Sequence, residues 1–439
     1  MDFALCCAAF STQGPSSMTP LGMLWPVAWL LLLLPLGACA ASAATADGVY
    51  SRYAPSLYQI RIMENRSGSR AALGSGFVVN EGKFIATNYH VVSNKVMEPQ
   101  KYRIEIDLAG KPLVANIVRV DAVHDLALLA LDGSPALGTA LAIAKQVPQK
   151  GEVLYSLGNP HDIGMTVVVG NYNGLVEHSP VEQIHFSGAI NSGMSGGPTV
   201  NGDGQVIGVN VATAGNQIGF LVPGHYLQDL IEKAQEPLDK PLLEDMAEQI
   251  KAHTTALLDE LLAQPWHPEP MGKVSIFAKA VPWVECWGNS DEKKEQGTLE
   301  VSRGCNSNNQ LFLSDKFSSG YVEYEFFYFS APNWPSASVY RYMARNTANA
   351  MPGNQVAKPH AGNYTCSNNW YTTPQGGSKR ISYCTRPYKQ LPGLFDVFYV
   401  GVTSDRSHEV AMDHYTLSGV TQEASLRFLA RFKEQMQWQ

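Results

Sequence analysis

The stretch Asn191-Ser-Gly-Met-Ser-Gly-Gly-Pro198 sets one serine, Ser195, in a turn built largely from glycine. Gly193, Gly196 and Gly197 strip side chains from both flanks of Ser195, so the backbone can turn sharply and a second chain can come close. Backbone N–H groups in such a turn can converge on one point, the arrangement that stabilises the oxyanion of an acyl transfer. A hydroxyl there is inert without an activating base, so the reading turns on where a histidine and an acid lie.

Two upstream segments supply them. Phe84-Ile-Ala-Thr-Asn-Tyr-His-Val-Val92 carries His90 at the end of an apolar run, and His124-Asp-Leu-Ala-Leu-Leu-Ala130 carries Asp125 at the head of another. Both polar residues are expected where a β-strand meets a loop, with packed strands to hold them. The chain order is His, Asp, Ser. These segments resemble the trypsin-like serine peptidases, and most of all the Deg/HtrA group of bacterial envelope proteases, whose patterns read T-N-x-H-V-V, D-L-A-L-L and N-S-G-G-P. Ser156-Leu-Gly-Asn-Pro160 and Gly215-Asn-Gln-Ile-Gly-Phe-Leu-Val-Pro223 also stand where such proteases carry similar segments. The resemblance covers residues 55–235, a little under half of the chain.

What the resemblance implies is a double β-barrel, with His90 and Asp125 on the first barrel, Ser195 on the second and a cleft between them. Ser195 would be the nucleophile, His90 the general base and acid, and Asp125 the residue that orients His90. The N–H groups of Gly193 and Ser195 would form the oxyanion hole. The pocket for the residue before the scissile bond would lie near Ala189 and Asn191 and along Val211, Ala212 and Thr213. Nothing acidic stands there, so a small or medium apolar residue is expected rather than Lys or Arg. The turn departs from the family at one place: Gly193-Met194-Ser195 replaces the usual Gly-Asn-Ser.

Gly193-Met-Ser-Gly-Gly197 also fits G-x-S-x-G, the nucleophile elbow of the α/β-hydrolases. That elbow needs a helix directly after the serine and a triad in the order Ser, acid, His. Here two glycines and Pro198 follow, and then Asn201-Gly-Asp-Gly204, which reads as a hairpin turn between strands. The His90 and Asp125 segments also precede the serine.

The chain has 439 residues, enough for two or three domains, with 16% charged residues and a net charge of −7. That balance points away from nucleic acid and from electrostatic membrane docking. Residues 1–40 read as a leader: Leu24 to Leu36 is apolar apart from its prolines, too short for a comfortable span and followed by small residues. Ala38-Cys-Ala40 fits ordinary signal cleavage, which predicts an exported, periplasmic protein; Leu36-Gly-Ala-Cys39 fits a lipobox, which would tether the chain to the membrane through Cys39. No Lys or Arg precedes Arg52, and Met18 or Met23 are alternative starts.

Apart from Cys6, Cys7 and Cys39, the cysteines are Cys286, Cys305, Cys366 and Cys384, all in the C-terminal half. An even number in one exported domain argues for two disulfides, and 286–305 with 366–384 is the simplest of three connectivities. Zinc is the alternative, but the spacing holds no C-x-x-C. No metal or organic cofactor is implied.

The overall expectation is a mainly β chain. The protease region, residues 50–235, shows short strands at 56–62, 74–79, 102–108 and 206–211. A helical connector at 238–264 follows, where Leu243, Met246, Ile250, Leu257 and Leu261 recur at helical spacing. It reads as a connector packed on one of the two domains, or else as a helix for homo-oligomerisation. Residues 270–439 form a C-terminal domain, β-rich and disulfide-containing, ending in a helix at 422–437 whose apolar side is Leu426, Leu429, Phe432 and Met436. Deg/HtrA proteases usually carry PDZ domains here, and this composition does not resemble one. Its aromatics read as core and cross-strand pairs, with an exposed Trp334 or Trp370 as a stacking surface for a sugar or peptide in the alternative. Three functions fit: a serine endopeptidase acting on protein or peptide substrates, a silent scaffold that binds a partner or a glycan, and an esterase.

Overall fold

The alternating isoleucines explain how the first sheet closes. In the computed structural model, which describes residues 45–439 apart from 109, 134–136, 161–162, 214–217, 374–376 and 404–405, Ile60 and Ile62 pair with Ile106 and Ile104 across two antiparallel strands. All four side chains point inward and are fully buried, as the two-residue period of a strand requires. The leader and Cys39 lie outside the described residues, as do the side chains of Ala212 and Thr213.

Twelve strands form two closed barrels. The first contains β1 (Leu57–Glu64), β2 (Arg70–Val79), β3 (Phe84–Thr87), β4 (Tyr102–Leu108), β5 (Lys111–Asp121) and β6 (Leu126–Leu131), in the order β1-β2-β3-β6-β5-β4. The second contains β7 (Val153–Gly158), β8 (Thr166–Leu175), β9 (Ile184–Phe186), β10 (Pro198–Val200), β11 (Val206–Thr213) and β12 (Gly219–Pro223), in the order β10-β11-β12-β9-β8-β7. Counted within its own barrel, each set follows the same circuit: one, two, three, six, five, four. Closure leaves neither barrel with a free edge.

The connector is a helix over Leu242–Ala263, starting just after Pro241. It packs on two bodies rather than one. Met246, Ala247 and Ile250 join the core of the first barrel, whereas Leu257, Leu258 and Leu261 join the core of the C-terminal region. Its buried stripe is therefore continuous along its length, and the described residues from Thr45 on cluster as one compact unit.

The C-terminal region is built on a seven-stranded antiparallel sheet. Its spatial order is Val284–Lys293, Thr298–Ser307, Val322–Ser330, Glu409–Val420, Phe395–Thr403, Ser378–Pro387 and Thr365–Thr372. The helix Gln422–Phe432 covers one face, its N-terminus capped by Thr421. Phe428 and Phe432 stack in a ring cluster with Tyr399 and Tyr415. This corrects the expected face: Leu426 is 45% exposed, because Ala424, Phe428 and Phe432 are the residues turned to the sheet. The helix also ends at Phe432, short of the expected 437, with Met436 buried beyond it. Trp334 packs on Phe329 and Tyr342, whereas Trp370 lies on an edge strand and is 67% exposed.

Cys286 is bonded to Cys305 and Cys366 to Cys384, each pair directly opposite in the ladder. The first joins one edge strand to its neighbour and the second does the same at the other edge. Both edge strands are almost wholly exposed and bury little apolar surface of their own, so a covalent cross-link holds what packing does not.

Between the second and third strands of that sheet the chain forms a separate hairpin, Leu311–Ser314 paired with Phe317–Ser319. Leu311, Leu313 and Phe317 are buried in the core of the first barrel. The hairpin thus belongs to the C-terminal region by sequence and to the protease region by packing.

Candidate active site

His90 does not stand at a strand–loop junction as expected. The strand β3 ends at Thr87, and a helix over Tyr89–Met97 starts at once, so His90 lies in its first turn. Four hydrogen bonds fix that turn to Asp125. Asn88 Nδ2 and the Tyr89 N–H donate to the Asp125 carbonyl at 2.9 and 3.1 Å. The His90 N–H donates to Asp125 Oδ1 at 2.7 Å, and His90 Nδ1 is 2.6 Å from Oδ2. Both carboxylate oxygens are therefore committed to one residue. Asp125 itself is left-handed, with φ of 56°, a conformation that Asp tolerates better than most side chains.

A proton on Nδ1, facing the carboxylate, leaves the Nε2 lone pair free to accept another. Burial alone would push the His90 imidazole down. The charge of Asp125 and its hydrogen bond outweigh that, and the net shift is upward. Neighbouring His124 forms an analogous pair with Asp121, at 2.7 Å, but its ring stacks on Tyr226 at 3.6 Å.

Ser195 is held by its backbone. Ser75 donates its N–H to the Ser195 carbonyl at 2.8 Å and its hydroxyl to the Gly193 carbonyl at 2.7 Å. Ser75 is on β2, so the first barrel grips the glycine turn of the second directly. From inside the second barrel, buried Asn210 exchanges backbone bonds with Gly196 and Gly197 at 2.9 Å each, and its side-chain amide reaches the Met194 carbonyl at 3.3 Å. Gly196 must be glycine: its φ is +83°, and a Cβ would come within 2.2 Å of Thr87 Oγ1 and 2.3 Å of the Ser75 carbonyl. Pro198 starts β10 rather than a helix, which disposes of the elbow alternative.

The departure at Met194 has a packing reason. Its side chain is fully buried with Leu154, Tyr172, Ile184, Phe186 and Ile190 in the core of the second barrel. An apolar side chain thus anchors the turn from beneath. Ser75 and Asn210 were not singled out in the sequence. The one signal for Asn210 was a polar residue inside the apolar run Val206-Ile-Gly-Val-Asn-Val211.

The structure brings His90 and Asp125 together but leaves the third link open. The Ser195 hydroxyl donates to the Val211 carbonyl at 3.0 Å. Among the described residues no hydrogen bond joins it to His90, and none occupies the N–H of Gly193 or Ser195. Such links are often formed only when substrate is bound.

A cleft of about 530 Å³ opens beside the pair, lined in part by His90, Asp125, Val181, Val211, His253 and Phe312. Of the expected substrate contacts only Val211 lines it. Ala189 is half-buried and Asn191 exposed outside it, and the side chains of Ala212 and Thr213 lie outside the described residues. Six lining residues come from beyond residue 235, among them His253 from the connector helix and Phe312 from the hairpin. His253, with burial as the main cause and His124 adding to it, is pushed down to about 4.

Residues 74–209 match the trypsin-like peptidase domain family. The serine protease HTRA1B of Danio rerio is 30% identical over 200 residues, which is 43% of this chain and 41% of that protein. A probable periplasmic serine endoprotease DegP-like of Buchnera aphidicola is 34% identical over 175 residues, 37% of this chain and 35% of that one. The crystal structure of the serine endoprotease from Yersinia pestis is 28% identical and covers 43% of this chain and 66% of its own, with a TM-score of 0.37. The chain spans well under two thirds of the length of these curated relatives. Residues 74–209 are thus similar to trypsin-like peptidase domains, and the relatives matched are HtrA and DegP-like serine proteases.

Proposed function

We propose that the chain is an exported serine endopeptidase that hydrolyses protein substrates through His90, Asp125 and Ser195. The observation that carries this reading is the doubly bonded His90–Asp125 pair, facing a cleft whose lining residue Val211 accepts the hydroxyl of a serine held in a glycine turn. The Ser195 hydroxyl turns from the Val211 carbonyl to His90 Nε2, which takes its proton as Oγ bonds to the scissile carbon. The carbonyl electrons move onto oxygen, and the N–H groups of Gly193 and Ser195 donate hydrogen bonds to the resulting oxyanion; losing one such donor costs about 100- to 1,000-fold in rate. As the C–N bond breaks, His90 returns the proton to the leaving amine. Water then attacks the acyl-enzyme by the same route and frees Ser195. Asp125 holds the ring and stabilises its cationic form throughout.

Export is supported by the leader composition and by two disulfides, which persist in oxidising compartments. The periplasm is the compartment this favours, with lipidation at Cys39 as the route to a membrane tether.

A second reading has one observation in its favour. With its hydroxyl bound to the Val211 carbonyl, Ser195 stands as it would in a silent scaffold that binds a partner or glycan. Incubating the mature chain with a fluorophosphonate probe and unfolded casein, beside Ser195→Ala, separates the two. Labelling and cleavage that both vanish in the variant establish the peptidase. Intact casein without Ser195-dependent labelling establishes the scaffold.

A further inference from the structure

We propose that the hairpin Leu311–Ser319 is a wall of the substrate cleft, and that Phe312 sets a preference for an apolar side chain next to His90. The occupant is the substrate residue immediately before the one that gives up the scissile carbonyl. This rests on the peptidase reading above and assigns that site a specificity element supplied from outside the protease region.

The alternation of the strand Leu311–Ser314 is the first ground. Leu311 and Leu313 turn into the core of the first barrel, so Phe312 must turn the other way. It emerges 38% exposed, with its ring edge-on to the His90 ring at 6.3 Å and 86°. A phenyl ring left that open at the rim of a cleft is surface waiting for a partner.

The second ground is that the chain is fastened on both sides of Phe312. Tyr89, the neighbour of His90, donates its hydroxyl to the Leu313 carbonyl at 2.8 Å. Asn309 donates its amide to Ser179 Oγ at 2.6 Å, and Ser179 belongs to the β8–β9 connection of the second barrel. Phe312 is thereby placed relative to both barrels, as a specificity element must be.

The third ground is the course of the substrate. An extended peptide adding to β11 at Val211 places successive side chains on opposite faces. With the reacting carbonyl at Ser195, the preceding side chain points to the His90 side, where Leu73, Val181, Val211 and Phe312 offer apolar surface. Asp315 and His253 line the same cleft. The cleft is open with the hairpin in place, so the hairpin is a wall and not a plug.

The test uses the full chain and two peptides that differ only at that residue, leucine against glycine. The wild-type protein is expected to favour leucine in kcat/KM, and Phe312→Ala to lower that ratio about 10-fold, the range one apolar contact can discriminate. Phe312→Tyr, which keeps the ring, is expected to restore it and guards against a folding defect. An unchanged ratio in Phe312→Ala overturns the proposal. So does equal acceleration of both peptides, which would make the hairpin an inhibitory plug. Fluorescence anisotropy of the same peptides with Ser195→Ala separates this from the function itself. Loss of binding discrimination on adding Phe312→Ala upholds the wall even if the wild type cleaves neither peptide. Absence of discrimination in binding removes the wall even if it cleaves both.

Discussion

The two barrels follow one strand circuit and hold their functional side chains by different means. In the first, His90 and Asp125 are joined directly through both carboxylate oxygens, and Asn88 and Tyr89 bind the carbonyl of the same aspartate. In the second, Ser195 makes no comparable side-chain link and is placed by its backbone, from Ser75 on one side and Asn210 on the other, above the buried Met194. An acid–base pair must keep one fixed hydrogen bond, whereas a nucleophile must be free to turn between resting and reacting positions. The cores differ in the same sense. Residues of the second barrel share one core with Phe77, Phe84 and Leu128 of the first and with the N-terminal and Gly224–Lys233 helices, while a separate core of the first runs into the connector and the C-terminal hairpin. The barrel that carries His90 is therefore the one whose core continues into the connector and the hairpin.

The largest effect is expected from breaking the direct link. Asp125→Asn should lower kcat by about 10,000-fold, as an equivalent change does in the type case of the triad. It should also move the pH profile. His90 must be neutral to act as base, so wild-type activity should rise with pH through an apparent pKa above the ordinary histidine value of 6.5 and be lost below it. Without the Asp125 charge, burial dominates and the midpoint should fall. A rate–pH profile that does not move would show that Asp125 does not set the base.

The contrast in cores can be sharpened by two matched truncations. Leu313→Ala and Met194→Ala each remove a fully buried side chain and should each cost about 2–5 kcal/mol in denaturant unfolding. Hydrogen exchange should place the loosening differently: β1, β3 and β6 of the first barrel for Leu313→Ala, β7, β9 and the nucleophile turn for Met194→Ala. Loosening of the second barrel by Leu313→Ala would contradict the division. Tyr89→Phe is milder. It leaves the Leu313 carbonyl unsatisfied and should cost about 1 kcal/mol, read as a lower Tm.

The smallest effect concerns pH. His253 is held neutral to about 4, with burial as the first cause and His124 the second, while Asp121 opposes them. Its folded pKa is below its unfolded one, so it contributes stability above about 6.5 that is lost as pH falls toward about 4. His253→Asn should flatten the decline of Tm over that window and leave Tm at pH 8 nearly unchanged. An equally steep decline would assign the acid sensitivity to other groups.

Much of this was legible in linear order. The strand Tyr102–Leu108 and the connector's buried residues Met246, Ile250, Leu257 and Leu261 follow from local pattern, and the three segments proposed to carry the triad were chosen from the same kind of pattern. Period two and period 3.6 report which side of an element is apolar, and a glycine-rich turn reports where the backbone must bend. The same reasoning misread the final helix, because Leu426 and Phe428 are both apolar and only the sheet beneath decides which is covered.

The sequence by itself determined which residues could do acyl-transfer chemistry, that the chain would be mainly β, and that a helix would follow the protease region. Those properties are written in neighbouring residues. Only the tertiary structure decided that Ser75 and Asn210 support the nucleophile turn, that each disulfide fastens an edge strand, and that Phe312 stands against His90 across 222 positions of chain. Contacts of that separation depend on how whole barrels and sheets pack, and no periodicity within a segment records them.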